Sequence, residues 1–411
     1  MAGGEHPLDG AVRQLDAELR QHPEDRYPVQ HATARFHLGT VRLSEGRPDE
    51  AITSLRTAVR LFADLPVERA KAVNMLGVAL RAAGAPADAA EAFADAERAF
   101  GAARQPLEQA AATFNLGLTA LDEGDLPVAS QSFRRARDRF AGERAPAQTS
   151  AAGRELAAVL LAQGRLDEAV EVAEEASVQA EHAGELAAIG GAANVLGLAQ
   201  LARGRGEEAA AAFQVAAGAH PRLLRPEGYA MAKANLALAR EALAEGPRAR
   251  LAARQARDTP GAPTAARDHA LAVLRRLPDA PDDLMAVLDQ EPVERWPAVV
   301  REEVTRWLDM APGEQQEAAA ALVHGQLGRG RHSVDLAEAW MGVLLELPPD
   351  AMERFIHLVV GAVGTCDEHD GERFRSEVAR TMAHFGVPQL LRLRDAFQAA
   401  ADRLGQDGSW S

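Results

Sequence analysis

The chain has 411 residues, of which 47% are hydrophobic and 26% charged, with 60 Asp plus Glu against 45 Lys plus Arg for a net charge of −15. This balance excludes an intrinsically disordered chain, and the length suits two or three domains of roughly 100–200 residues each. Neither half is basic, which disfavours direct nucleic-acid binding, and the single cysteine, Cys366, can form no internal disulfide, as fits a reducing compartment.

Aromatic residues make up only 4%, too few for a typical β-sandwich or barrel, while the alanine-rich apolar fraction favours helices. The start, Met1 to Asp9, has no basic segment followed by an apolar one, so it does not read as a signal peptide. No apolar run approaches the ~18 residues of a membrane span. The expectation is a soluble, cytoplasmic protein with no membrane partner.

In chain order, residues 1–31 read as an N-terminal half-repeat or cap, its helix at 8–21. A repeat then occupies 32–257. Phe36-His-Leu-Gly, Asn74-Met-Leu-Gly, Phe114-Asn-Leu-Gly, Arg154-Glu-Leu-Ala, Asn194-Val-Leu-Gly and Ala234-Asn-Leu-Ala align on Gly39, Gly77, Gly117, Ala157, Gly197 and Ala237, at spacings of 38, 40, 40, 40 and 40. Gly46, Gly84, Gly124, Gly164 and Gly204 keep the same register, followed by Ala51, Ala89, Ala129, Ala169, Ala209 and Ala249. Leu55, Phe93, Phe133, Ala173 and Phe213 come next.

A mid-helix glycine costs about 1 kcal/mol against alanine, so its recurrence points to a second helix packed too close for a Cβ. The later glycine ends the first helix in the left-handed conformation. The Ala and Phe that follow at intervals of three or four form the inner stripe of a second helix. Each unit is therefore an antiparallel helix pair that buries its face by stacking on its neighbours.

These positions resemble the tetratricopeptide repeat (TPR), in a long-period form of about 40 residues like that of bacterial regulators rather than the common 34. The extra residues are expected to lengthen both helices. The aromatic usual early in the first helix is mostly missing, with Phe36 and Phe114 nearest to it. The resemblance implies an all-α fold, a right-handed TPR superhelix of antiparallel helix pairs followed by a C-terminal α-helical domain. It also implies a concave groove, lined by the first helix of each pair, that takes a protein or peptide partner.

Residues just before the Leu-Gly pair then face the groove: His37, Asn74, Asn115, Arg154, Asn194 and Asn235. Phe36, Lys71, Phe114 and Met231 join them, with Val78, Leu118, Leu198 and Leu238 adding apolar surface. Asparagine suits such a face because its amide both donates and accepts hydrogen bonds from a peptide backbone. The carboxylate clamp of TPR chaperone adaptors does not carry over, since Lys71, Asn74 and Arg154 are too scattered to match it.

Thr259-Pro-Gly-Ala-Pro-Thr places a linker at 258–264. A distinct all-α domain follows at 265–404, with helices expected near 264–277, 281–289, 292–310, 313–328, 333–347, 350–363, 371–385 and 388–404, and a flexible tail at 405–411. All four Trp lie in this last third, and Gly-Arg-Gly-Arg at 328–331 reads as a turn. Cys366 and His369 have a spacing compatible with a metal site or a Cys/His pair, but their acidic surroundings read more simply as a solvated loop. No catalytic residues, metal or cofactor are expected. The reading is a non-catalytic interaction scaffold, with room for a homodimer contact through the C-terminal domain. A ligand-responsive bacterial regulator, or an enzyme of unfamiliar type in the C-terminal helices, are the alternatives.

Overall fold

A computed structural model describes residues 9–278, 283–406 and Trp410, and among them every regular element is helical. Leu8, the first two residues of the expected 281–289 helix and most of the tail lie outside the described residues. The protein is an all-α repeat superhelix that continues into further helices. Its contacts divide into two compact units, with the break after Gly204.

In the first unit, α1 (Asp9–Gln21) precedes four helix pairs: α2/α3 (Pro28–Ser44, Pro48–Leu61), α4/α5 (Pro66–Ala82, Pro86–Ala102), α6/α7 (Pro106–Asp122, Leu126–Gly142) and α8/α9 (Pro146–Ala162, Leu166–Ala183). A last first-position helix, α10 (Leu186–Ala202), closes it. Each second-position helix packs against its own first helix and the next one, while α1 lays Val12 and Leu15 against Leu38 of α2.

Local chemistry explains the pairs. Proline opens α2, α4, α6 and α8, where a missing N–H costs nothing and φ is already helical. The turn inside a pair needs a left-handed residue, and Gly84 and Gly124 supply it at φ +77. Mid-helix glycines sit where the partner helix presses closest: a Cβ on Gly77 would lie 2.7 Å from Cε1 of Phe93, and one on Gly39 2.6 Å from Cγ of Leu55. Phe93 and Phe133 are fully buried, each worth roughly 1.5–3 kcal/mol of burial.

The second unit begins with α11 (Gly206–Ala219) and the pair α12/α13 (Pro226–Ala242, Gly246–Arg257). α14 (Thr264–Arg276) packs on both α12 and α13, as α10 does on α8 and α9. The stretch before α14 is a turn tied to its surroundings: the Thr259 hydroxyl donates to the Gln255 carbonyl at 2.6 Å, and Asp258 accepts from Arg306 at 2.9 Å.

The remaining helices are α15 (Asp283–Leu288), α16 (Trp296–Trp307), α17 (Pro312–Gly328), α18 (Ser333–Glu346), α19 (Pro349–Val363), α20 (Glu368–Met382) and α21 (Val387–Leu404). Most pack on the next helix but one, α16 on α18 and α18 on α20, with α17 on α19 and α19 on α21. The four Trp share one core with Phe355, Phe374 and Phe397. Trp307 stacks on Phe355 at 5.7 Å, and Trp410 on Phe397 at 4.8 Å.

Trp410 is 1% exposed, so the expectation of a flexible tail is corrected at that residue. Burial of a large aromatic ring on an aromatic stack pins it. The expected helix at 292–310 divides into a short 3₁₀ turn, Val293–Arg295, and α16. α20 starts three residues earlier than expected because Asp367 caps it, accepting from the Asp370 N–H at 2.8 Å.

Buried ion pairs and hydrogen bonds bind α13 to the helices that follow. Asp283 accepts from Arg250 at 2.6 and 2.8 Å and from Arg254 at 2.6 Å. Glu303 accepts from Gln255 at 2.8 Å and Arg306 at 2.7 Å. Asp283 and Glu303 are 2% and 1% exposed, burial that carboxylates tolerate only when paired.

Candidate functional site

The first-position helices of the first unit carry most of the residues that the sequence assigns to a groove. Asn74 on α4 and Asn115 on α6, 41 positions apart, touch directly: the Asn115 amide donates to the Asn74 side-chain oxygen at 3.2 Å. Both are half-buried. Towards the C-terminal ends of the same helices, Arg81 donates to Asp122. Two side-chain rungs therefore tie α4 to α6.

The other assigned residues are dispersed. Phe36 is half-buried and meets exposed His37 edge-on at 5.5 Å. The Phe114 ring lies 5.3 Å from Phe133, so it contributes to the core as well as to the surface. Lys71 is exposed and Asn194 half-buried on α10. Arg154 turns onto Glu155 at 2.9 Å and over Gly191 of α10, where a Cβ would stand 2.8 Å from its Nη1. Met231 and Asn235 lie on α12, in the second unit, and Asn235 is only 3% exposed.

Cys366 is half-buried, its thiol 3.7 Å from the Ala362 carbonyl. Burial, reinforced by Asp370 and Asp367, pushes that thiol above its ordinary range, the opposite of what a nucleophile needs. His369 is exposed in the first turn of α20. Among the described residues no group of three or more His, Cys, Asp and Glu side chains converges as a metal site would require. The acidic cluster is the start of a capped helix.

Lys233 escaped the sequence reading. It is 5% exposed on α12, donates to Glu302 at 2.6 Å and lies 5.5 Å from the centre of the Tyr229 ring. Its partner is 69 positions away, so only its rarity hinted at a role: Lys71 and Lys233 are the two lysines among 45 basic residues.

A family model described as tetratricopeptide repeat matches residues 8–66, 38–103, 74–144, 114–185 and 154–223, together more than half of the chain. The chain belongs to the tetratricopeptide-repeat family. The matched part of this TPR protein ends in the turn before α12. No curated protein matches it. Among solved structures it is similar to BtubC from P. vanneervenii, at 16% identity and a TM-score of 0.48 over 53% of this chain and 93% of that one. It is also similar to the apo form of RapI, at 16% identity and a TM-score of 0.45 over 59% and 90%. PilF of Pseudomonas aeruginosa matches at 15% and 0.45 over 59% and 97%. Among the described residues no helix of this TPR protein is long and apolar enough to cross a membrane.

Proposed function

We propose that the chain is an interaction scaffold whose first-position helices in the first unit bind an extended or helical peptide of a partner protein. The observation that carries this reading is the Asn74–Asn115 rung: a pair of half-buried amides linked at 3.2 Å, with half-buried Phe36, Val78, Phe114 and Leu118 on the same helices or the neighbouring one. An amide pair has further donors and acceptors to offer a peptide backbone. The apolar side chains beside it offer area to bury.

Selection from a displayed random-peptide library, with the full chain as bait, tests the proposal. Peptides enriched on the wild type should lose at least tenfold in affinity on Asn74→Arg or Asn115→Arg, which replace a short amide with a long charge. They should keep their affinity on Glu171→Gln, on the second-position helix α9. Equal affinity for all three variants would place the binding surface elsewhere.

A further inference from the structure

The second unit contains a cavity of about 400 Å³, within the ~300–1,000 Å³ usual for small-ligand sites. Its lining comes from six elements: α11, α12, α13, α15, the turn before α16, and α16 itself. Leu236, Leu251, Ala252, Val287 and Val299 are its apolar lining residues. Lys233, Arg240, Arg248, Arg295, Glu291 and Glu302 alternate with them along the same elements. Lys233, Arg240 and Arg248 are each answered closely by a carboxylate, Glu302, Glu245 and Glu291, which leaves Arg295, 4.0 Å from Glu291, the least engaged of the four cations.

The guanidinium groups are held in place before any ligand arrives. Glu245 braces two of them from behind, accepting from Arg240 at 2.7 Å and from Arg248 at 2.7 Å. Arg248 also donates to Glu291 at 2.7 Å, and its Nε is buried without a hydrogen-bond partner. Arg295 is three-quarters exposed and reaches Glu291 at 4.0 Å, so its fork is available at the mouth. Arginine forks match carboxylate geometry with two parallel N–H···O bonds. Donors already oriented lower the ordering cost of binding.

From this combination we infer that the cavity is a binding site for a small carboxylate with an aliphatic body, the head group on Arg295 and Arg248 and the chain along Leu236, Leu251 and Val299. The inference is independent of the peptide-binding reading, since every lining residue lies in the second unit.

Calorimetric titration of the full chain with octanoate and with octan-1-ol decides it. Octanoate should bind once per chain and at least tenfold tighter than the alcohol of equal length. Ala298→Trp, at an exposed position on the cavity wall, should reduce octanoate affinity at least tenfold by filling the space. Arg295→Gln, at a side chain three-quarters exposed, should weaken octanoate at least threefold and leave octan-1-ol unaffected. Circular dichroism melts matching the wild type would show both variants folded. Absence of octanoate binding, equal affinity for the alcohol, or wild-type octanoate affinity in the folded variants would each overturn the assignment.

Discussion

A Cβ placed on Gly117 would stand 2.7 Å from Cε1 of Phe133, a fully buried ring in the partner helix of the same pair. Gly77 and Phe93 stand in the same relation at 2.7 Å. Where the first-helix marker is instead alanine, at Ala157, the residue sixteen further on is Ala173, and Ala237 is likewise followed by Ala253. Large meets absent, and small meets small.

This matching makes a double-mutant prediction. Gly117→Ala should destabilise the first unit by about 1–3 kcal/mol through overpacking, although alanine is the better helix former by about 1 kcal/mol. Phe133→Ala alone should cost about 3–5 kcal/mol. The double variant, which copies Ala157 with Ala173, should cost less than the sum by about 1 kcal/mol or more. Urea unfolding followed by far-ultraviolet circular dichroism measures all three, and simple additivity would refute the pairing.

Ala244 holds φ +59 at the turn between α12 and α13, where Gly84 and Gly124 serve the equivalent pairs. A left-handed residue with a side chain is strained by about 1 kcal/mol or more. Ala244→Gly should therefore stabilise the second unit by about 0.5–1 kcal/mol. Tryptophan fluorescence is the suitable probe, because all four Trp, at 296, 307, 340 and 410, lie in that unit.

Asp283→Ala removes the common acceptor of Arg250 and Arg254. Breaking a buried pair by deleting one partner costs about 3–5 kcal/mol, because a buried cation loses its counter-charge. The fluorescence-detected unfolding midpoint should fall accordingly. Asp309→Ala, whose partner Arg222 also donates to two backbone carbonyls, should cost visibly less.

Cys366 gives a pH prediction. Its thiol is held above the ordinary range by burial first and by Asp370 and Asp367 second. The reactive species is the thiolate, so raising the pKa lowers the thiolate fraction at neutral pH and moves the rise in reactivity to more alkaline pH. Iodoacetamide should label Cys366 more slowly than free glutathione at pH 7.5, and Asp370→Asn should shift its rate profile towards lower pH. A rate equal to that of glutathione across the profile would contradict the assignment.

The repeat was legible because each packing need is met by a residue type at a fixed offset. Gly77 and Phe93, or Gly124 at its turn, announce the fold from a single chain. The site was legible only in part: Asn74 and Asn115 are 41 positions apart, one more than the period, so their contact joins adjacent rather than equivalent positions of successive first helices. Arg154 sits in the same row, but the open space over Gly191 diverts it, and nothing near Arg154 in sequence signals that neighbour. The cavity at Lys233 and Arg248 was not legible at all. It is assembled from α11 through α16 by contacts such as Lys233–Glu302, 69 positions apart, which no periodicity encodes.

Every first-position helix of the repeat, α2, α4, α6, α8, α10 and α12, has 17 residues. The second-position helices range from 12 in α13 to 18 in α9. One layer is thus a ruler and the other a spacer. A residue gained inside a first-position helix would swing everything beyond it by about 100°, turning Asn115 away from Asn74 and scrambling the surface at once. The second-position helices each begin two residues after the turn position and differ at their C-terminal ends, so a residue gained at such an end leaves that alignment untouched.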